Sequence, residues 1–93
     1  MHIALLTMTF QLPGCQSLKE KRGRLRGLKE RFGKSSNLAV SESAYHDVWD
    51  RSQWAFVSLG RERAQIDRAF SGVESFVNEE MDVIVIDVQR EWL

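Results

Sequence analysis

The stretch from Ser17 to Gly33 reads SLKEKRGRLRGLKERFG and carries the signals of a helix at both ends. Ser17 and Glu20 have the spacing of a capping box, in which each side chain accepts a hydrogen bond from the other residue's backbone N–H. Gly33 directly follows Phe32 and is predicted to end the helix in the left-handed conformation. Apolar side chains between these ends recur at helical spacing and predict one buried stripe, formed by Leu18, Leu25, Leu28 and Phe32.

Lys21 falls inside this stripe and has two interpretations. Its stem could pack while its ammonium group reaches water beside the end of a strand. Alternatively, it pairs with a particular carboxylate, for which Asp47 is the candidate. Gly23 and Gly27 are predicted to lie on the opposite, solvent-facing side, where each costs about 1 kcal/mol relative to alanine.

The segments on either side of this helix predict four strands and a second helix. Their bounds are His2–Phe10, Leu38–Ala44, Gln53–Gly60 and Asp82–Gln89 for the strands and about Arg61 to Glu80 for the helix. The order β-α-β-β-α-β predicts a ferredoxin-like α+β fold, a four-stranded antiparallel sheet with both helices on one face. The first and last strands are expected at the centre of the sheet, because each is flanked by a crossover and both are strongly apolar.

Such a sheet has one face without helices. Ile3 and Leu5, or their neighbours of opposite phase, should point there with one set each from Trp54–Leu59 and Val83–Val88. Because a large apolar face seldom stays bare on a monomer, we expect a homo-oligomer through this open face. A binding site for another macromolecule is the second possibility.

The length of 93 residues predicts a single domain over residues 1–93. The single cysteine excludes an intramolecular disulfide and favours a reducing compartment. No apolar stretch is long enough to span a membrane, and the first ten residues lack the features of a signal peptide. The sequence therefore predicts a cytoplasmic protein with no membrane partner.

The net charge is zero, but eight of the thirteen Lys and Arg lie between Lys19 and Lys34. One flank of the apolar stripe carries Lys19, Arg22, Arg26 and Lys29, and the other carries Arg24 and Arg31. Two rows of cations could contact the phosphates of RNA. They could also bind a protein partner or a second copy, or form a solvated face paired with Glu20 and Glu30 of the same helix.

Catalytic and metal-binding patterns are absent from the sequence. There is no phosphate-binding glycine loop and no nucleophile elbow. Cys15 lies before a helix N-terminus, where the helix dipole would lower the pKa of its thiol, but no spacing links it to His46 as a base. Because the two histidines are isolated, the sequence predicts no metal site and no cofactor, and it favours a non-enzymatic protein.

The segment Tyr45–Ser52 also has two interpretations. It could cap the end of the sheet, with Trp49 packed and Arg51 ion-paired. Otherwise it is a recognition loop that carries Asp47, Trp49 and Arg51, since rigid scaffolds often present binding groups on loops.

Two motifs, SLKEKR at residues 17–22 and YHDVWDR at residues 45–51, resemble those of the YlxP-like family of small bacterial proteins, a domain of unknown function. The resemblance runs nearly from end to end and implies one small ferredoxin-like domain, but no activity. Genes of this family often lie among those for transcription and translation factors, which implies a ribosome or RNA role by association. Relatives tend to have an acidic residue and a glutamine near Ala44 and Asp50, so the charge pattern of the loop departs from theirs.

From residues and resemblance together we expect a non-enzymatic accessory protein that binds RNA, on the ribosome or elsewhere. The contacts would come from Lys19, Arg22, Arg24, Arg26, Lys29 and Arg31. The alternative is a protein-interaction module that acts through the open sheet face or the loop at residues 45–52.

Overall fold

Four strands and two helices follow one another along residues 1–93, which the computed structural model describes. The elements are β1 (His2–Gln11), α1 (Leu18–Phe32), β2 (Leu38–Ala44), β3 (Arg51–Gly60), α2 (Arg63–Glu80) and β4 (Ile84–Trp92). All strand pairs are antiparallel and form one sheet in the order β2-β3-β1-β4. The ferredoxin-like α+β fold is confirmed.

The central strands are β1 and β3, so the prediction that β4 lies at the centre is wrong. β3 pairs with both β1 and β2, whereas β4 pairs only with β1 and forms an edge. The β-branched run in β4 reflects strand propensity rather than burial, because Ile84, Ile86 and Val88 are all substantially exposed. A bulge at Ile86, between residues paired to Phe10 and Thr9, also interrupts the alternation of this strand.

The core lies between the sheet and the two helices. The alternate residues of β1 that face the helices are fully buried, and they meet the apolar stripe of each helix. The members of this core include Leu6, Met8, Phe10, Phe56, Leu25, Leu28, Phe32, Ile66, Phe70, Val73 and Val77. Each such side chain contributes about 1.5–3 kcal/mol when fully buried, which fixes the helices on one face.

The ends of α1 differ in detail from the expectation. Ser17 Oγ accepts from the backbone N–H of Glu20 at 3.0 Å, as predicted, but the Glu20 carboxylate accepts from Gln16 N at 2.9 Å instead of from Ser17. Gly33 is right-handed, with φ −67° and ψ −14°, and its N–H donates to Lys29 O at 2.8 Å. Space rather than handedness requires glycine there, because a Cβ atom would lie 2.5 Å from Lys29 O.

The two interior glycines of α1 have different surroundings. Gly23 is exposed, and a Cβ atom there would meet nothing within 4 Å. Gly27, predicted to face solvent, instead faces α2, where a Cβ atom would lie 3.2 Å from Phe76 Cζ. The Phe76 ring in turn packs edge-on against Phe32 at 5.5 Å, so Gly27 permits the close approach of the two helices.

The open face of the sheet is mixed in character and has an apolar cluster at one end. Ile3 is paired with Leu59 and Leu5 with Val57, and these four side chains form what we call the open-face patch. Farther along β1, Thr9 accepts a hydrogen bond from Gln53 on this face. β4 contributes Asp87, Gln89 and Glu91 to this face, and its apolar contribution is the exposed Ile84 opposite Gln11. The prediction that Ile3 and Leu5 point to the open face is confirmed, but the prediction of an apolar set from Val83–Val88 holds only for Ile84. Neither helix is both long enough and apolar enough to cross a bilayer.

Candidate nucleic-acid interface

A groove of about 310 Å³ lies along α1, bounded on the other side by β2 and the segment after it. Arg22, Arg26 and Lys29 of α1 form its cationic wall. Glu42 of β2 and His46 lie opposite them. The apolar lining comes from Leu18, Leu25 and Trp54.

Five cations of α1 have no carboxylate partner within the molecule, and four of these lie on one side of the helix. We call Lys19, Arg22, Arg26 and Lys29 the cationic flank. All four are exposed, and no carboxylate oxygen lies within 4.0 Å of their charged nitrogens. Their spacing of three, four and three residues places them along one side of the helix over about 15 Å. The flank therefore presents uncompensated positive charge to solvent.

The other two predicted contact residues are occupied by the protein itself. Arg24 donates to Pro13 O at 2.8 Å and lies 3.8 Å from carboxylate oxygens of both Glu20 and Asp82. The guanidinium group of Arg31 lies over the Phe76 ring at 5.6 Å from its centroid. Arg24 is thus held by carboxylates and a carbonyl, whereas Arg31 packs over a ring with its charge unpaired, and of the six cations only the four residues of the cationic flank contact neither a carboxylate nor a ring.

The ammonium group of Lys21 contacts three oxygen atoms, and the residue is only 3% exposed. Its Nζ donates to Tyr45 O at 2.6 Å and to Val48 O at 2.9 Å, and it lies 3.0 Å from Glu42 Oε2. These contacts overturn the interpretation that the ammonium group reaches water. They bear out pairing with a carboxylate, but the partner is Glu42 and not Asp47.

The signal for this partner was present in the pattern of β2. Leu38, Val40 and Glu42 alternate onto the face that meets the helices, which places a carboxylate beside apolar side chains. Such a carboxylate requires a positive partner, and Lys21 is the cation inside the buried stripe of α1. Asp47 lies in the exposed loop, whereas the alternation of β2 places Glu42 on the side that faces the helices.

A polar network extends from Lys21 into the sheet. Glu42 Oε2 accepts from Ser52 Oγ at 2.5 Å, and Ser52 Oγ accepts from Trp54 Nε1 at 2.8 Å. Every buried side-chain nitrogen and oxygen in the protein has a hydrogen-bond partner. The network joins α1, β2 and β3 at the groove, and a buried ion pair of this kind gains little net stability over apolar packing of similar volume.

The segment Tyr45–Asp50, which we call the aromatic loop, projects its apolar side chains into solvent. Trp49 is 52% exposed, and Tyr45 and Val48 are each 40% exposed. Arg51, the first residue of β3, forms no salt bridge, and its guanidinium group lies 5.5 Å from the centroid of the Tyr45 ring. A capping role with Trp49 packed and Arg51 ion-paired is therefore wrong. Asp47 is exposed in the same loop.

Hydrogen bonds hold the backbone of this loop in place. Tyr45 adopts the left-handed conformation, with φ +65°, and its carbonyl accepts from both Lys21 Nζ and Val48 N. His46 Nε2 donates to Glu42 O at 3.0 Å, and Asp50 O accepts from Leu12 N at 2.9 Å. The loop is exposed but anchored at several points.

Cys15 does not have the properties of a nucleophile. Burial raises the pKa of its thiol, and its hydrogen bond with Glu20 raises that pKa further, opposite to the lowering expected at a helix N-terminus. The same contact, together with the Gln16 N–H, lowers the pKa of the Glu20 carboxyl. His46 is held by Glu42 O at the groove instead. No three His, Cys, Asp or Glu side chains converge in a way that could hold a metal ion.

Comparison with known proteins identifies relatives. Residues 3–90 match the family described as "Protein of unknown function (DUF503)". The chain is also similar to the "Uncharacterized protein YlxP" of Bacillus subtilis (strain 168), with 28% identity over 76 residues, which covers 82% of this chain and 83% of the relative. The resemblance to the YlxP-like family is confirmed. Neither description states an activity.

Proposed function

This chain belongs to the DUF503 family of proteins of unknown function, and we propose that it is an RNA-binding accessory protein whose contact surface is the cationic flank. One such target is RNA within the ribosome. The family resemblance favours this target, because genes of the family often lie among those for transcription and translation factors. In this proposal the protein positions or protects RNA and performs no chemistry on it.

The observation that carries the proposal is that Lys19, Arg22, Arg26 and Lys29 have no carboxylate partner in a molecule of zero net charge. Cations that stay unpaired when acidic residues are available can contact phosphates and release their counterions. Two of the four are arginines, whose planar guanidinium groups match phosphate oxygens with two hydrogen bonds. Three of the four also border a groove that can receive part of a ligand.

The test is the salt dependence of RNA binding, measured by fluorescence anisotropy with a labelled single strand of about 12 nucleotides. Four phosphate contacts predict a log–log slope of affinity against salt of about −3 between about 50 and 200 mM salt. The double variant Arg22→Glu and Arg26→Glu should weaken binding to unrelated RNA sequences alike and reduce that slope by about half.

A matched control separates this surface from net charge alone. Arg61 and Arg68 are exposed and form no salt bridge, so Arg61→Glu with Arg68→Glu changes the net charge by the same amount elsewhere. The control should keep the wild-type slope. Absence of RNA binding at the lowest salt concentration, or an equal loss in both double variants, would overturn the proposal.

Self-association through the open-face patch is a second candidate function. Ile3 and Leu59 lie opposite each other on neighbouring strands and are 39% and 52% exposed. A second copy that covers this patch would remove apolar surface from water. The patch lies on the face without helices, so this association is compatible with RNA on the cationic flank.

A further inference from the structure

We propose that the aromatic loop is a stacking platform for unpaired bases, so that the RNA bound by this protein is single-stranded. This inference rests on the proposed function, because it assigns the bases of the same RNA whose phosphates contact the cationic flank. It concerns Trp49 first and Tyr45 second.

The exposure of the loop supports this role. A single apolar side chain at a surface is ordinary, but Tyr45, Val48 and Trp49 are exposed together within a stretch of five residues. The face of an exposed indole ring can stack on any nucleobase, and such stacking tolerates different sequences. The guanidinium group of Arg51 lies over one face of the Tyr45 ring, so Trp49 is the principal stacking residue and Tyr45 can offer only its other face.

The anchoring of the loop supports it further. Lys21 binds the carbonyls of Tyr45 and Val48 at the same time, and His46 is tied to Glu42 O. These bonds also hold Tyr45 in its left-handed conformation, which is unfavourable for a residue with a side chain. Because the backbone is ordered before a ligand arrives, little conformational entropy is lost on binding.

The same hydrogen bonds place the loop next to the cationic flank. Lys21 Nζ lies 2.9 Å from Val48 O. Arg22 of the flank follows Lys21 in sequence, and Trp49 of the loop follows Val48. His46 belongs to the loop and also lines the groove with Arg22 and Arg26. One strand of RNA can thus contact both surfaces, with its backbone on α1 and its bases directed to the loop.

Duplex RNA does not fit this arrangement. In an A-form helix the bases are paired and stacked on one another, and proteins reach mainly the phosphates and the 2′-hydroxyl groups. A duplex could use the cationic flank alone. Preference for single strands is therefore the property that distinguishes stacking on Trp49 from phosphate contact only.

The experiment compares three RNA ligands of about 12 nucleotides: a single strand, a duplex of the same sequence, and a single strand with abasic central positions. The wild-type protein should bind the intact single strand most tightly. Trp49→Ala should lower its affinity by about 5- to 150-fold, as expected for the loss of one stacked base. The slope with salt should stay the same, and Trp49→Phe should retain most of the affinity.

Trp92→Ala is the matched control, since Trp92 is also exposed but lies on β4 at the far edge of the sheet. It should bind like the wild type, and the abasic strand should bind wild type and Trp49→Ala equally.

Stacking is overturned, while the proposed function stands, under one set of results. RNA would bind with the expected salt slope, duplex and single strand would bind equally, and Trp49→Ala would have no effect. A change in mass in solution on Trp49→Ala, without a change in RNA affinity, would likewise overturn stacking and indicate a protein contact at the loop. If no RNA binds at low salt, the proposed function fails and stacking with it.

Discussion

Lys21 connects three segments through one ammonium group, since it holds Glu42 of β2 and the carbonyls of Tyr45 and Val48. We predict that Lys21→Met lowers the free energy of unfolding by about 3 kcal/mol, because a mostly buried carboxylate and two carbonyls lose their partner. Urea denaturation followed by circular dichroism measures this loss. Lys19→Met, an exposed change on the same helix, should stay within about 0.5 kcal/mol of the wild type.

A double variant tests whether the loss of stability comes from leaving the Glu42 carboxylate without a positive partner. Glu42→Gln removes the negative charge and keeps the shape of the side chain. In the Lys21→Met background it should therefore restore part of the lost stability, whereas alone it should destabilise. If the stability losses of the two single variants simply add in the double variant, Lys21 and Glu42 are not coupled.

Glu20 gives the folded protein a dependence on pH. Hydrogen bonds from Cys15 and from Gln16 N lower its pKa below the ordinary value of 4.5. A lowered pKa means that the ionised form stabilises the fold: the contribution is complete well above pH 4.5 and is lost as the pH falls through the folded pKa. Glu20→Gln should thus be less stable than the wild type at neutral pH, and this difference should shrink in acid.

Thermal unfolding over a series of pH values measures this contribution. Glu30→Gln is the control, because Glu30 lies on the same helix and forms no salt bridge. A difference between Glu20→Gln and the wild type that stays constant down to strongly acid pH would contradict the assignment.

At the scale of the element, the glycines of α1 differ in what surrounds them. Gly23→Ala should stabilise the protein by about 0.5–1 kcal/mol, because the position is open and alanine favours the helix. Gly33→Ala should destabilise it by about 1–3 kcal/mol, since the new methyl group would collide with Lys29 O. Chemical denaturation measures the free energy of unfolding of both variants. A Gly33→Ala protein as stable as the wild type would contradict the close approach of the added methyl group to Lys29 O.

The elements themselves were largely predictable from sequence. The period of Leu25, Leu28 and Phe32 identified the buried side of α1, and the strand alternation identified β1 and β2. The apolar run of β4 was misleading, because strand propensity and burial have the same signature in a β-branched segment. The alternation of β2 pointed to Glu42 as the partner of Lys21. The conformation of Tyr45 depends on a contact from Lys21, which is distant in sequence, so local patterns alone do not specify it.

The candidate site was predictable only in part. The helical period separated the cationic flank from Arg24 and Arg31. It did not show that these two contact Pro13, Asp82 and Phe76, because those contacts come from other segments. It gave two interpretations of the loop without choosing between them. The exposure of Trp49 and the double contact from Lys21 favour recognition, and both follow from tertiary packing.

At the scale of the whole molecule, the open-face patch predicts association of two copies. Leu59→Asp should convert a species with the mass of two chains into one with the mass of a single chain, because a charge would be buried at the contact. Light scattering after size-exclusion chromatography measures the masses. Gln53→Asp, on the polar part of the same face, should leave the mass unchanged. A wild-type protein with the mass of one chain at every concentration would exclude this contact.

The pairing of β1 with β4 has a consequence for folding. Ala4 lies opposite Trp92, so two strands that neighbour each other in the sheet are separated by almost the whole of residues 1–93. Contacts of such long sequence separation form slowly, and until β4 docks, one hydrogen-bonding edge of β1 has no partner. A chain in which β4 is undocked therefore exposes an unpaired edge beside the core, and we expect aggregation to begin from that state.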